Sequence, residues 1–280
     1  MRKEKISEKE NFHGITEKME KRPVLFSIGI MILSIIVTEL PIASLLAFLE
    51  NEQDAAFLQG IIEQMAVVFV IFLLLKKAGM EQEAGLCSFG KEIWLMLPAV
   101  YLIVLNLSDV LAGEMEFGMV KPGRWILFFV LHLSTGFFEE ILCRGLMLPL
   151  FLKKWGNTKN GAYLALVISA LLFGMAHFTG FLMGRQSLLA AVAQVIYATF
   201  FGVFAGACVV RMKSIYPMIL LHTLINISGE LGTLVNDCSL NESYYEIPLE
   251  GAVFLVILAL PLLLYGLFLV RKEFKNGYQM

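Results

Sequence analysis

The sequence predicts an all-α fold, a polytopic membrane helical bundle with about eight transmembrane helices, and three observations predict it. Hydrophobic residues make up 58% of the 280 residues and charged ones 16%, with a positive mean hydropathy of +0.74, far outside the range of an ordinary soluble domain. Apolar windows of the roughly 20 residues that a helix needs to cross hydrocarbon follow one another with short connections. Lys and Arg concentrate in every second connection. The net charge of -2 points to no class of partner, and basic clusters occur only beside the apolar windows, so nucleic acid is not an expected partner.

Taken in order, the windows fall at 24–49, 57–75, 93–112, 125–146, 161–182, 188–210, 215–235 and 250–270. Glu39 and Pro41 predict a kink near the outer end of the first. Glu63 and Gln64 interrupt the second, and Asn106 and Asp109 lie in the third. The segment from Ala84 to Lys91 is too polar and glycine-rich to span and reads as a turn. The stretch from Asn236 to Pro248 reads as the longest outer loop, acidic and without basic residues.

The N-terminal arm, the connections 76–92, 152–160 and 211–214, and the C-terminal tail hold all of the 22 Lys and Arg except Lys121, Arg124, Arg144 and Arg185. This bias places both termini in the cytoplasm, which requires an even number of spans. The expected organisation is a cytoplasmic arm over 1–22, read as a surface helix, a membrane-embedded unit over 23–272 and a cytoplasmic tail over 273–280. No small-residue cleavage site follows the charged arm, so no removable signal peptide is expected. Cys87, Cys143, Cys208 and Cys238 lack paired spacing, and neither a disulfide nor a cysteine metal site is expected. The C-terminal residues lack a prenylation cysteine.

Three polar insertions into apolar stretches carry the functional reading. Glu139 and Glu140 end an apolar run from Trp125 to Phe138 that contains no ionised side chain. A charge near the bilayer interior costs at least about 2.5–3.5 kcal/mol, so such carboxylates mark a functional site and need a partner. Arg144, four residues beyond Glu140, shares its helix face and can form an ion pair with it. Glu139 is rotated away, which suits a general base, whereas the paired Glu140 suits a structural role. The alternative is that both glutamates only hold helices together.

The other insertions are Phe173 with His177 and His222 with Asn226, each at i, i+4 spacing. Counting residues from the turn around 156–159, Glu139 and His177 fall at the same height in an antiparallel hairpin. His222 reaches that height only if the hairpin end projects from the membrane by about two turns, near 12 Å at 1.5 Å per residue. Asn226, one turn beyond His222, can donate its amide to a developing oxyanion or serve as interhelical glue. Ser134 and Cys143 are not paired with a base, and His132 reads as packing or cavity lining. Glu230 continues the stripe of His222 and Asn226 toward the far end of the same cavity.

Glu139-Glu140-x-x-x-Arg144, Phe173-x-x-x-His177 and His222-x-x-x-Asn226 resemble the ordered motifs of the CPBP intramembrane protease family, which includes type II CAAX prenyl endopeptidases and bacteriocin-processing or immunity proteins. The resemblance covers a motif core of 125–235. It implies that Glu139 and His177 activate a water, His222 assists, Asn226 holds the oxyanion, and Glu140 with Arg144 organises the site. It further implies a glutamate-dependent peptidase with no metal or other cofactor, acting in a bacterial plasma membrane on a membrane-associated peptide or protein such as a CAAX-like, bacteriocin or signal-peptide precursor. Three alternatives stay open. Two histidines and a carboxylate could bind zinc. The protein could bind a peptide without cleaving it, as an immunity protein. Glu63, Asp109, Glu139 and Glu230 could line an ion path.

Overall fold

The computed structural model describes residues 19–42, 46, 49, 51–235 and 244–278. Among them the chain is helical, with two isolated bridge pairs, Gln186–Tyr245 and Lys275–Gly277, in place of any sheet. The main helices are α1 (Pro23–Thr38), α2 (Glu52–Ala78), α3 (Val100–Asn106), α4 (Pro122–Glu140), α5 (Leu148–Trp155), α6 (Lys159–Ala176), α7 (Leu188–Met212), α8 (Tyr216–Glu230) and α9 (Leu249–Leu269). A π-helical segment, Ile141–Met147, joins α4 to α5 without a break. Five stretches are long and apolar enough to cross a membrane: Glu52–Ala78, Pro122–Trp155, Lys159–Leu182, Leu188–Met212 and Leu249–Leu269. The protein is thus an integral membrane helical bundle.

The eight expected windows all contain helix, but three do not become full spans. α1 ends at Thr38 and Glu39 caps it, so the expected kink is a terminus; the ring of Pro41 disfavours helical backbone at the preceding residue. The third window opens on a 3₁₀ turn, Ile93–Ala99, containing Pro98, then breaks after Asn106. Asn106 turns its amide onto Ile225 O and Ser228 Oγ of α8, each at 3.2 Å, and this accounts for a polar residue in an apolar window. α8 has 15 residues, about 22 Å at 1.5 Å per residue, short of the hydrocarbon thickness.

Local sequence sets the boundaries that do form. Asn51 caps α2 by accepting from the N–H groups of Gln53 and Asp54, Glu52 and Asp54 occupy its first turn, and Lys76 and Lys77 its last. Gly79 then ends the helix in the left-handed conformation at φ 66°. Thr158 and Ser187 cap α6 and α7 in the same manner. Gln64 in α2 accepts from the hydroxyls of Ser134 and Thr135 in α4 at 2.6 and 3.1 Å. The polar interruption of the second window is therefore an interhelical contact.

α7 packs between α6 and α9, while α4 packs against α2 and α8. Small residues allow the closest approaches, as expected where lipid gives no hydrophobic drive for helices to associate. A Cβ on Gly174 of α6 would lie 2.5 Å from Val195 O of α7, and one on Gly136 of α4 would lie 2.5 Å from Thr223 Oγ1 of α8. Pro122–Trp155 runs 34 residues, about 51 Å, so it exceeds the roughly 30 Å hydrocarbon layer. That length leaves room for the projection that the expected height of His222 requires.

The first and last described stretches lie at the α5 end of the bundle. Met19 is buried, and Glu20 pairs with Lys153 at 2.6 Å; the rest of the expected surface helix, 1–18, lies outside the described residues. Phe274 is buried, and the N–H of Tyr278 donates to Gly156 O at 2.5 Å, so the tail docks on the α5–α6 turn. The expected acidic loop is described only from Tyr244 onward, and Cys238 lies outside the described residues. Cys87, Cys143 and Cys208 are free thiols.

Candidate active site

The site is built where α4, α6, α7 and α8 meet. Glu140 is fully buried, and its Oε1 accepts from Arg144 Nη1 at 2.9 Å, the pair expected from their spacing. The π-helical segment begins one residue later and contains Arg144. Insertions of this kind commonly occur at functional sites, because the wider turn re-aims side chains relative to an α-helix. Here it leaves the guanidinium on Glu140 and over the ring of Phe173, 4.4 Å from its centroid.

His222 from α8 completes the cluster. Its Nδ1 lies 2.8 Å from Glu140 Oε1, and its Nε2 lies 3.2 Å from Glu139 Oε2. Each contact needs one proton between the ring nitrogen and the carboxyl oxygen it faces. The cluster sets two carboxyls, Glu139 and Glu140, against the guanidinium of Arg144 and the imidazole of His222. A balanced set with hydrogen bonds among its members is the condition under which buried charges are tolerated.

Gly136 makes this contact possible. It lies one turn before Glu139 and Glu140, and its missing side chain admits Thr223, the residue next to His222. Aromatic rings fix the imidazole from its other sides: Phe173 stands edge-on at 5.9 Å and Phe201 at 5.1 Å between centroids. Phe173 also meets His177 at 5.0 Å. One ring therefore touches the guanidinium and both imidazoles. Sequence spacing pointed to Phe173 only as a motif position, and Gly136 was missed; its one signal was the small stretch Ser134-Thr135-Gly136 just before the glutamates in an otherwise large, apolar helix.

His177 caps α6, and its Nδ1 lies 3.1 Å from Phe173 O. A carbonyl only accepts, so Nδ1 carries a proton and Nε2 is the free nitrogen. His177, His222 and Asn226 line one cavity of about 760 Å³, with Phe173, Phe201 and Leu262 among its apolar walls. Glu139 and His177 were expected to face each other. Among the described residues the hydrogen-bonded partner of Glu139 is His222 instead; Glu139 is not among the residues lining the cavity, and His177 shares that cavity with His222 and touches Phe173. A second cavity, about 420 Å³, reaches Arg144 from the end where Lys213 and Tyr278 lie.

The remaining candidates take structural positions. Ser134 bonds Gln64, Cys143 is buried, and His132 packs edge-on against Phe128 at 4.3 Å. Glu63 is buried in α2, Asp109 lies in a short helix after α3, and neither lines the cavity. Among the described residues no three His, Cys, Asp or Glu side chains are grouped to hold a metal ion.

Residues 121–228 match the model of the family described as Type II CAAX prenyl endopeptidase Rce1-like. The matched segment carries every residue of the three motifs, and the match agrees with their resemblance to CPBP intramembrane proteases. No curated protein and no solved structure matches the chain.

Proposed function

We propose that this protein is a glutamate-dependent intramembrane endopeptidase that hydrolyses a peptide bond of a membrane-associated peptide or protein. The observation that carries the reading is the unequal exposure of two adjacent carboxylates on one imidazole. The Glu139 side chain is 22% exposed and that of Glu140 0%. Only Glu139 can meet a water, and Glu140 is committed to Arg144 and His222.

Glu139 takes a proton from a water as the oxygen attacks the scissile carbonyl carbon, and the proton passes to the departing amine when the C–N bond breaks. His177 presents its free Nε2 to the same water. The developing oxyanion needs a donor already in place. Both nitrogens of His222 are engaged by carboxylates, which leaves the Asn226 amide, one turn further along α8, for that role. Substrates of CAAX, bacteriocin-precursor or signal-peptide type suit a membrane-embedded cavity. The basic-residue bias supports an orientation with both termini cytoplasmic.

The test is mass spectrometry of membrane peptides from cells carrying the wild type or Glu139→Gln. Uncleaved precursors accumulating only with the variant support hydrolysis. Identical peptide profiles would instead favour a non-catalytic peptide-binding or immunity role.

A further inference from the structure

The cavity has a second polar end that the mechanism does not use. Glu230 lies two turns beyond His222 and one beyond Asn226 on α8, and it lines the same cavity. Its carboxylate makes no ion pair or hydrogen bond among the described residues. Among the described residues Arg185 is the one Lys or Arg in the lining, and it is already held by Glu39 through contacts of 2.5 and 3.3 Å. Two phenols, Tyr197 and Tyr245, also line the cavity and lie within electrostatic reach of Glu230. Between the two polar ends the wall is apolar, with Leu102, Leu255 and Leu258.

A carboxylate flanked by aromatic rings at the edge of an apolar chamber is chemistry for an ammonium or guanidinium group. We propose that Glu230 is a specificity residue that binds a cationic group of the substrate peptide, a Lys or Arg side chain or a free α-amino group. The proposal rests on the peptidase reading above. At 1.5 Å per helical residue, Glu230 stands about 6 Å beyond Asn226 and about 12 Å beyond His222. An extended peptide advances about 3.3–3.6 Å per residue, so the cation falls two to four residues from the scissile bond. The cavity runs away from the end carrying Lys153, Lys213 and Tyr278, so this end of the peptide points toward the connection containing Arg185.

The experiment measures binding apart from cleavage. Full-length Glu139→Gln protein in nanodiscs is titrated by fluorescence anisotropy with N-acetylated, C-amidated nonapeptides of alternating Leu and Ser. One Lys is walked through the positions, with norleucine as its neutral counterpart; a parallel set with neutral side chains and a free N-terminus separates the two cation sources. The expected result is roughly tenfold tighter binding of a cationic peptide at one register. That preference falls to about unity when Glu230→Gln is added and reverses toward Glu-containing peptides with Glu230→Lys, while the norleucine peptides bind alike throughout. Equal binding of cationic and neutral peptides, or a preference that survives Glu230→Gln, overturns the proposal and leaves the peptidase reading standing. Failure of every peptide to bind overturns both. Thermal melting of each variant in the same nanodiscs verifies that a lost preference is not lost folding.

Discussion

Substituting Gly136 by alanine tests how closely the chemistry depends on the approach of α4 and α8. The added Cβ would lie 2.5 Å from Thr223 Oγ1, 3.1 Å from Ile219 O and 3.2 Å from Thr223 N, so the tightest contact falls about 0.9 Å short of ordinary carbon separation. Thr223 is buried, and of these contacts a change of its χ1 rotamer can move only Oγ1, whereas the two others are backbone atoms. Part of the mismatch must therefore appear as helix separation. A shift of about 0.5 Å lengthens the 2.8 Å and 3.2 Å contacts of His222 beyond good hydrogen-bond geometry. Misplacement by about 1 Å can cost about 100-fold in rate. Gly136→Ala should lower kcat about 10- to 100-fold, with an overpacking cost of about 1–3 kcal/mol in stability. Adding Thr223→Ala removes the nearest atom, which has no hydrogen-bond partner among the described residues, and should restore part of the activity. The assay is cleavage of the accumulating precursor by nanodisc-reconstituted protein. Wild-type kcat in Gly136→Ala, or no recovery in the double variant, would refute the reasoning.

Arg144→Leu should destabilise the protein by about 3–5 kcal/mol, because it leaves the fully buried Glu140 without its guanidinium; thermal melting in detergent measures this. Phe173→Leu keeps an apolar side chain but loses contacts to Arg144, His177 and His222, and kcat should fall at least about tenfold with KM nearly unchanged, read by steady-state cleavage. Treatment with a zinc chelator should leave turnover unchanged, and loss of activity that zinc restores would favour the metal alternative.

The Glu140–Arg144 pair was legible in the sequence because i, i+4 contacts lie within one helix and need no knowledge of the fold. The contact of His222 with both carboxylates was not legible. It spans 82 residues and depends on how α8 is set along the 34-residue Pro122–Trp155 helix, which residue counting could state only as a condition. The same counting set Glu139 opposite His177, since it gives height along the bundle and not rotation about each helix. The π-helical turn leaves no apolar periodicity of its own, because Ile141–Met147 is buried on all sides. Hydropathy overstated the first and third spans for a related reason. It registers apolar content, whereas Pro41, Pro98 and the bonding of Asn106 to α8 decide where helix stops. Glu63 and Gln64 look alike as interruptions, yet only the structure shows Gln64 joined to Ser134 and Thr135.

The central claim is that Glu139 acts as the base, whereas Glu140 organises the site. Single-turnover cleavage of one identified peptide by purified wild type, Glu139→Gln and Glu140→Gln, each with a melting curve, tests it most directly. Glu139→Gln should lose at least about two orders of magnitude in rate with its melting temperature retained, and Glu140→Gln should lose stability together with rate. Retained turnover in folded Glu139→Gln would contradict the account.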